Sequence, residues 1–453
     1  MFPALPLHPK RNLLVILAHG LRSDALADER EWPLSTPHMV ELAGRGVRLV
    51  LSAATPTDPG AMASVLTGLH ARQHGRLDTD TAGDPWPDGL PAWLQAEGYH
   101  TAGVGEVGAI AGQLDEARVT AGVDVPDPTP DTCWYAAAAR ARGHASALAQ
   151  QRRQRQRGGP IAPDRLMLEP DEDIDGFITQ LAIDAVADLP EDRPWALFVA
   201  FSGPGNDLPP PMGFDDVVRS QGLARDFAPV NLEGLDALAQ PSLPRAVLQR
   251  LEAHQVARLR ADYLGRVSLI DHGVGRIAEA LAARADADQT YTTVTSDRGR
   301  MLGEHGLIGT KTFLAPSIEV PLIVAPPAGR ADLAPTEKFQ EGLFSTVDVA
   351  PTLAALAGAD VPAGRTGRSV LPIFNGDELA SGPAANLSEF GDRVMVETER
   401  HKAVFRVGDG ECLALHDLAD DPEERRNLAK TGPGRARALA LRGVLGSVLL
   451  PLR

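Results

Sequence analysis

Cysteine is nearly absent from this chain: Cys133 and Cys412 are its two cysteines in 453 residues. Lying so far apart, they suggest neither a disulfide framework nor a paired-cysteine zinc site. Long apolar runs are missing too. Nothing approaches the roughly 18–20 apolar residues of a membrane-crossing helix, and the opening MFPALPLHPKRN has no apolar leader segment. Positive charge is also short, with 44 Lys and Arg against 60 Asp and Glu and a formal net charge of −16. That balance argues against nucleic acid or an anionic membrane as a standing partner. The one dense basic run, RRQRQR at 152–157, reads as a solvated loop tip. Together these absences lead us to expect a cytoplasmic protein.

The rest is an ordinary globular composition, 43% hydrophobic and 23% charged, in a chain long enough to bury a large core. NLLVILA (12–18) runs into His-Gly, as a buried parallel strand entering a loop does. TPHMVELAGRG (36–46) predicts a helix with Thr36 as N-cap, Pro37 in its first position and Gly44 or Gly46 as its stop. VRLVLSAA predicts a second strand and MASVLTGLHA a helix. LPAWLQAEG then HTAGVG, and FITQLAIDAVADL then WALFVAFS, repeat the alternation of helix and strand. A long helix is expected over 246–285. The β-branched strand TYTTVTSD delivers Asp297 at its end, and VPLIVAPP is another buried strand. Trp134 and Trp195 read as core. Asp271 and His272 read as structural, and Asp348 and Thr352 as groups satisfying a helix N-terminus.

This order implies an α/β fold with a mostly parallel sheet between helices over 1–375. Irregular insertions are expected at about 112–165 and 204–245. Over 376–453, RVMVETERHKAVFRVGDGECLALHDL alternates like antiparallel strands, and DDPEERRNLAK opens a charged helical tail. We therefore expect a small C-terminal antiparallel-sheet subdomain. Ligands of open parallel sheets sit at the carboxyl ends of the strands, so the residues just after each strand carry most information.

Those residues resemble the sulfatase family of the alkaline phosphatase superfamily from Asn12 to about Ala429. NLLVILAHGLRSDAL is similar to its first strand and metal loop, and TPHMVELAGRGV with ASVLTG and a following His-Gly to its nucleophile region. DYLGRVSLIDHGVGRI, TSDRGRMLGEHGLIG, SIEVPLIV, STVDVAPTLAALAG and LHDLADDPEERRNLA follow in the family's order. The resemblance implies an alkaline-phosphatase-like sandwich. It also implies a divalent cation on carboxylates at strand ends, a cysteine-derived formylglycine nucleophile, and cationic side chains around the transferring group.

Position by position, the resemblance is least faithful where that chemistry would occur. His19 and Gly20 stand where two adjacent metal carboxylates belong. In TPTDPGAMASVLTG, Asp58 holds the nucleophile position and Met62 that of an arginine. No formylglycine can form at Asp58. Thr57 would serve as nucleophile only if the loop shifted by one residue. Glu106 and Gly108 replace a lysine and a histidine, and Gly205 another histidine. Asp297 matches a metal carboxylate, but Arg298 follows it in place of Asn or His. Thr310 takes the place of a lysine, with Lys311 one residue late. His74 and His305 lie near the site in the resemblance.

Two readings follow. In the first, the chain is a sulfatase homologue without sulfatase chemistry and without metal, its Arg298 paired with Asp297 and Asp58. It would then act by binding a small anionic or ester ligand, an active sulfatase paralogue, or a second copy of itself. In the second, it is a metal-dependent hydrolase of sulfate, phosphate or phosphonate esters with a rebuilt site. Calcium or magnesium, or zinc or manganese through His19, would sit with Asp58 and Asp297, and Thr57 or water would attack.

Overall fold

Short runs of branched and aromatic side chains between Gly and Pro breakpoints become the strands. In the computed structural model the described residues are 10–26, 32–77, 86–120, 133–149 except 147, 168–228 except 225, 243–330, 333, 335, 339–374 except 341, and 385–449. The basic run 152–157, the larger part of the first expected insertion (121–132 and 150–165) and residues 229–242 of the second lie outside them. The strands are β1 (Asn12–Ala18), β2 (Val47–Ser52), β3 (His100–Gly105), β4 (Glu116–Val119), β5 (Trp195–Phe201), β6 (Thr290–Thr295), β7 (Met301–Leu302), β8 (Ile308–Gly309), β9 (Glu319–Ala325) and β10 (Phe339–Gln340). β11 (Asn386–Phe390), β12 (Arg393–Glu397), β13 (His401–Arg406) and β14 (Cys412–Asp417) complete the set.

Eight of them form one sheet in the order β10-β2-β9-β6-β1-β5-β3-β4. β9 runs against both its neighbours, β2 and β6, and the other pairings are parallel. Ala18 pairs with Phe201 and Leu17 with Thr295. The residues that follow β1, β5 and β6 therefore leave the sheet at one level. Both faces of the sheet are covered, and β1 divides its side chains between two apolar clusters. Leu14, Ile16 and Ala18 enter one, and Leu13, Val15 and Leu17 the other. This burial on both sides explains a continuous apolar run in place of an alternating one. The 30-residue helix Ala253–Ala282 and the helix Ile174–Asp188 cover one face. The helices Gly60–Thr67, Leu90–Ala96 and Val349–Ala357 cover the other.

The second sheet is antiparallel, in the order β11-β12-β13-β14. Phe390, Met395, Val404 and Ala414 join the main core. Leu387, Val394, Phe405 and Leu415 pack against Ala438, Leu441 and Leu445 of the final helix, Gly432–Leu449. Among the described residues no helix is long and apolar enough to cross a membrane.

Several local expectations need correction. Part of the first insertion is regular: β4 pairs with β3 at the sheet edge, and Trp134–Ala141 is a helix. Trp134 is not core. It is 48% exposed, with the Arg118 guanidinium over its ring; Trp195 is fully buried. The long helix starts at Ala253, because Gln255 bonds back to the Glu252 N–H and ends the preceding turn Arg245–Leu248. Thr36 makes no side-chain cap. Instead the Asp271 carboxylate, from the neighbouring helix, accepts the N–H groups of Met39 (2.8 Å) and His38 (3.3 Å). DDPEERRNLAK does not form a helix. Asp421 captures the N–H groups of Arg425 and Arg426, Glu424 takes φ +55°, and the helix begins only at Gly432.

Candidate functional site

The carboxyl ends of β1, β3, β5 and β6 bring His19, Glu106, Ser202 and Asp297 together, and the loop after β2 adds Asp58. Asp297 is the buried centre, 1% exposed. Its Oδ1 accepts the backbone N–H groups of Arg298 (2.9 Å) and Gly20 (3.4 Å). Its Oδ2 faces Nη1 of Arg298 in a direct hydrogen bond, and His19 Nδ1 at 3.1 Å. The histidine contact is close enough for strong attraction but poorly aligned for a hydrogen bond. Arg298 then reaches outward, its Nη2 3.4 Å from Asp58 Oδ2. The guanidinium thus lies between two carboxylates that come from different strand ends.

The electrostatics follow from this packing. Burial alone would raise the Asp297 carboxyl, yet the Arg298 charge and then His19 hold it well below the usual carboxylate range. Burial works against the His19 imidazolium, but Asp297, Glu106 and Asp58 overcome it and push the group up to about 9. Glu106 is raised to about 7, chiefly by burial, with the His19 charge and the Ser202 hydroxyl opposing. Its carboxylate stands 3.9 Å from His19 Nε2.

Backbone fit explains the glycines. Gly20 takes φ +77° and packs against Gly205, whose N–H donates to the His19 carbonyl at 2.8 Å. A Cβ on Gly20 would come within 2.7 Å of the Gly205 Cα, and one on Gly205 within 2.9 Å of the His19 oxygen. A histidine at 205 has no room in this backbone. Arg300 braces the same loop through the Gly205 carbonyl (2.9 Å) and the Asp207 carboxylate. From below, Asp175 accepts the Gly203 N–H at 3.0 Å and is itself paired with the buried Arg266.

The remaining candidates scatter. Thr57 is fully buried, with its hydroxyl on that of Thr55 at 2.9 Å, whereas the Asp58 side chain is 56% exposed. Met62 packs in the core with Val65 and Val320. Gly108 opens an exposed turn. Lys311 takes φ +65°, and its backbone N–H reaches the Pro56 carbonyl, so the segment with Thr310 borders the Asp58 loop. His74 accepts the Arg76 N–H on Nδ1 and contacts Ser64 through Nε2. His305 turns to the Glu423 carbonyl. Sequence reasoning missed Ser202, Arg300 and Arg266; an arginine inside the apolar stripe of a helix was the available signal for the last.

A divalent cation does not fit these residues as they stand. Both Asp297 oxygens are engaged, and the guanidinium lies where such an ion would meet Asp297 and Asp58. Among the described residues no group of three or more His, Cys, Asp or Glu side chains is arranged to hold a metal ion.

Residues 11–359 match the Sulfatase family, and residues 303–436 match the C-terminal region of N-sulphoglucosamine sulphohydrolase. The chain belongs to the sulfatase family of the alkaline phosphatase superfamily. It is 27% identical to the choline-sulfatase of Rhizobium meliloti (strain 1021) over 456 residues, covering 94% of this chain and 83% of that one. It is 25% identical to the multifunctional alkaline phosphatase superfamily protein PehA of Trinickia caryophylli, covering 81% and 77%. Its fold resembles the phosphonate monoester hydrolase of Agrobacterium radiobacter, with a TM-score of 0.79 at 23% identity and coverage of 97% and 95%.

Proposed function

We propose that this sulfatase-family chain works by binding and does not hydrolyse sulfate esters. The observation that carries the reading is at the nucleophile position, where Asp58 is ion-paired with Arg298 and Met62 is packed into the core. A carboxylate held by a guanidinium attacks poorly, and a thioether cannot grip a sulfate oxygen.

The direction of the charges supports it. The cations Arg298 and His19 turn inward to Asp297, with side chains 11% and 10% exposed. Asp58 (56%) and Glu106 (21%) meet solvent more than either. An approaching sulfate ester therefore meets carboxyl groups before either cation, which disfavours its anionic group. Active relatives support a second reading, hydrolysis of a sulfate, phosphate or phosphonate ester, because choline-sulfatase and PehA match most of the chain.

A panel of aryl sulfate, phosphate and phosphonate esters separates the two. It is run with and without Ca²⁺, Mg²⁺, Mn²⁺ and Zn²⁺, beside Asp297→Ala. The expected result is no turnover above that variant under any condition. Metal-dependent turnover that Asp297→Ala abolishes would replace binding with hydrolysis.

A further inference from the structure

We propose that the Arg298 guanidinium is a permanent stand-in for the divalent cation of this fold: the native site is closed to metal, and removing Arg298 opens it. The inference goes beyond the binding role and stands even if the metal-free chain turns over an ester.

The case rests on how fully Asp297 is occupied. One oxygen holds two backbone N–H groups, from Gly20 and Arg298, and the other holds Arg298 Nη1 with His19 beside it. Three hydrogen bonds and the adjacent His19 ring leave this 1% exposed carboxylate no open side for an incoming ion. Arg298 also spans to Asp58 at 3.4 Å, so one planar group links two carboxylates that a cation would otherwise have to hold together. The substitution is chemically durable. A guanidinium cannot be deprotonated in a protein, cannot be chelated, and needs no supply of ions.

It also differs from a metal in kind. It carries one positive charge where a divalent ion carries two, and it offers donors to existing carboxylates but no open coordination position. With Arg298→Asn, the vacated space is bordered by Asp297, Asp58, the new amide oxygen and His19. Manganese accepts such carboxylate and amide oxygens.

The test uses the purified full chain dialysed against MnCl₂, with elemental analysis of bound metal and thermal melts in Mn²⁺ and in EDTA. Native protein should retain no manganese and melt at the same temperature in both. Arg298→Asn should take up one equivalent and melt higher in Mn²⁺, and Asp297→Asn/Arg298→Asn should lose that uptake. If Arg298→Asn does not fold, Arg298→His supplies the same comparison with an imidazole donor. Stoichiometric manganese in the native chain that Asp297→Asn removes would overturn the proposal. So would a folded Arg298→Asn or Arg298→His that takes up none. Turnover plays no part in the readout, so ester hydrolysis by metal-free native protein would sink the binding role and leave this inference standing.

Discussion

Replacing Arg266 by Met tests whether a buried ion network beneath the site carries the loop that shapes it. The guanidinium is 1% exposed and makes two 2.6 Å bonds to Asp173 and one of 3.0 Å to Asp175. It also donates to the carbonyls of Leu208 and Pro209. Methionine fills much of the volume but leaves two carboxylates, 3% and 0% exposed, without their cation. Breaking one side of a buried pair costs about 3–5 kcal/mol. With an unfolding entropy of roughly 2.1 cal/mol/K per residue, and the chain unfolding as one unit, the melting temperature falls by about 3–5 °C.

The loss should depend on pH. Asp175 is already raised to about 6, by burial against the opposing Arg266 charge, and losing that charge raises it further. The folded variant then keeps a proton that the unfolded chain releases above about pH 4. Stability therefore falls as pH rises, and the variant should lose more at pH 8 than at pH 5. Urea titrations followed by circular dichroism at both pH values measure this. A loss below about 1 kcal/mol that is equal at the two pH values would refute the reasoning, since exposed ion pairs are worth no more than that.

Other perturbations give separate readings. Asp271→Ala should cost about 1–2 kcal/mol and Thr36→Ala almost nothing, because Asp271 and not Thr36 caps the helix Pro37–Arg45; urea midpoints of the two variants decide it. Lys402→Met should cost about 3–5 kcal/mol, measured the same way, because Lys402 is 1% exposed and lies 2.8 Å from Glu424 and 3.2 Å from Glu397. Burial lowers His70 and His74 to about 4, so both fold neutral and contribute stability above their unfolded value near 6.5. That stability is lost as pH falls toward 4. The His70→Gln/His74→Gln variant should lose less melting temperature between pH 7 and pH 5 than the native chain.

The order of strands and helices was readable from the sequence because period and breakpoints are local properties. NLLVILA and WALFVAFS became neighbouring strands β1 and β5 with their apolar residues on both faces. The misreadings turned on carboxylates that capture backbone N–H groups, one distant and one within the same segment. Thr36 lost its capping role to Asp271, and the tail helix lost its first turns to Asp421. At the site, Arg298 beside Asp297 at a strand end was enough to raise the Asp58 pairing, since an arginine there needs carboxylates. Ser202, Arg300 and the contact of Gly20 with Gly205 were out of reach. Each depends on which loops the sheet order sets side by side, and local sequence does not encode that order.

The most direct measurement is a crystal structure of the native chain grown in MnCl₂, with diffraction recorded near the manganese absorption edge. The account expects no anomalous peak at Asp297 and clear guanidinium density bridging Asp297 and Asp58. A manganese peak within bonding distance of Asp297 Oδ2, with Arg298 swung away, would contradict it and return the site to metal-assisted chemistry.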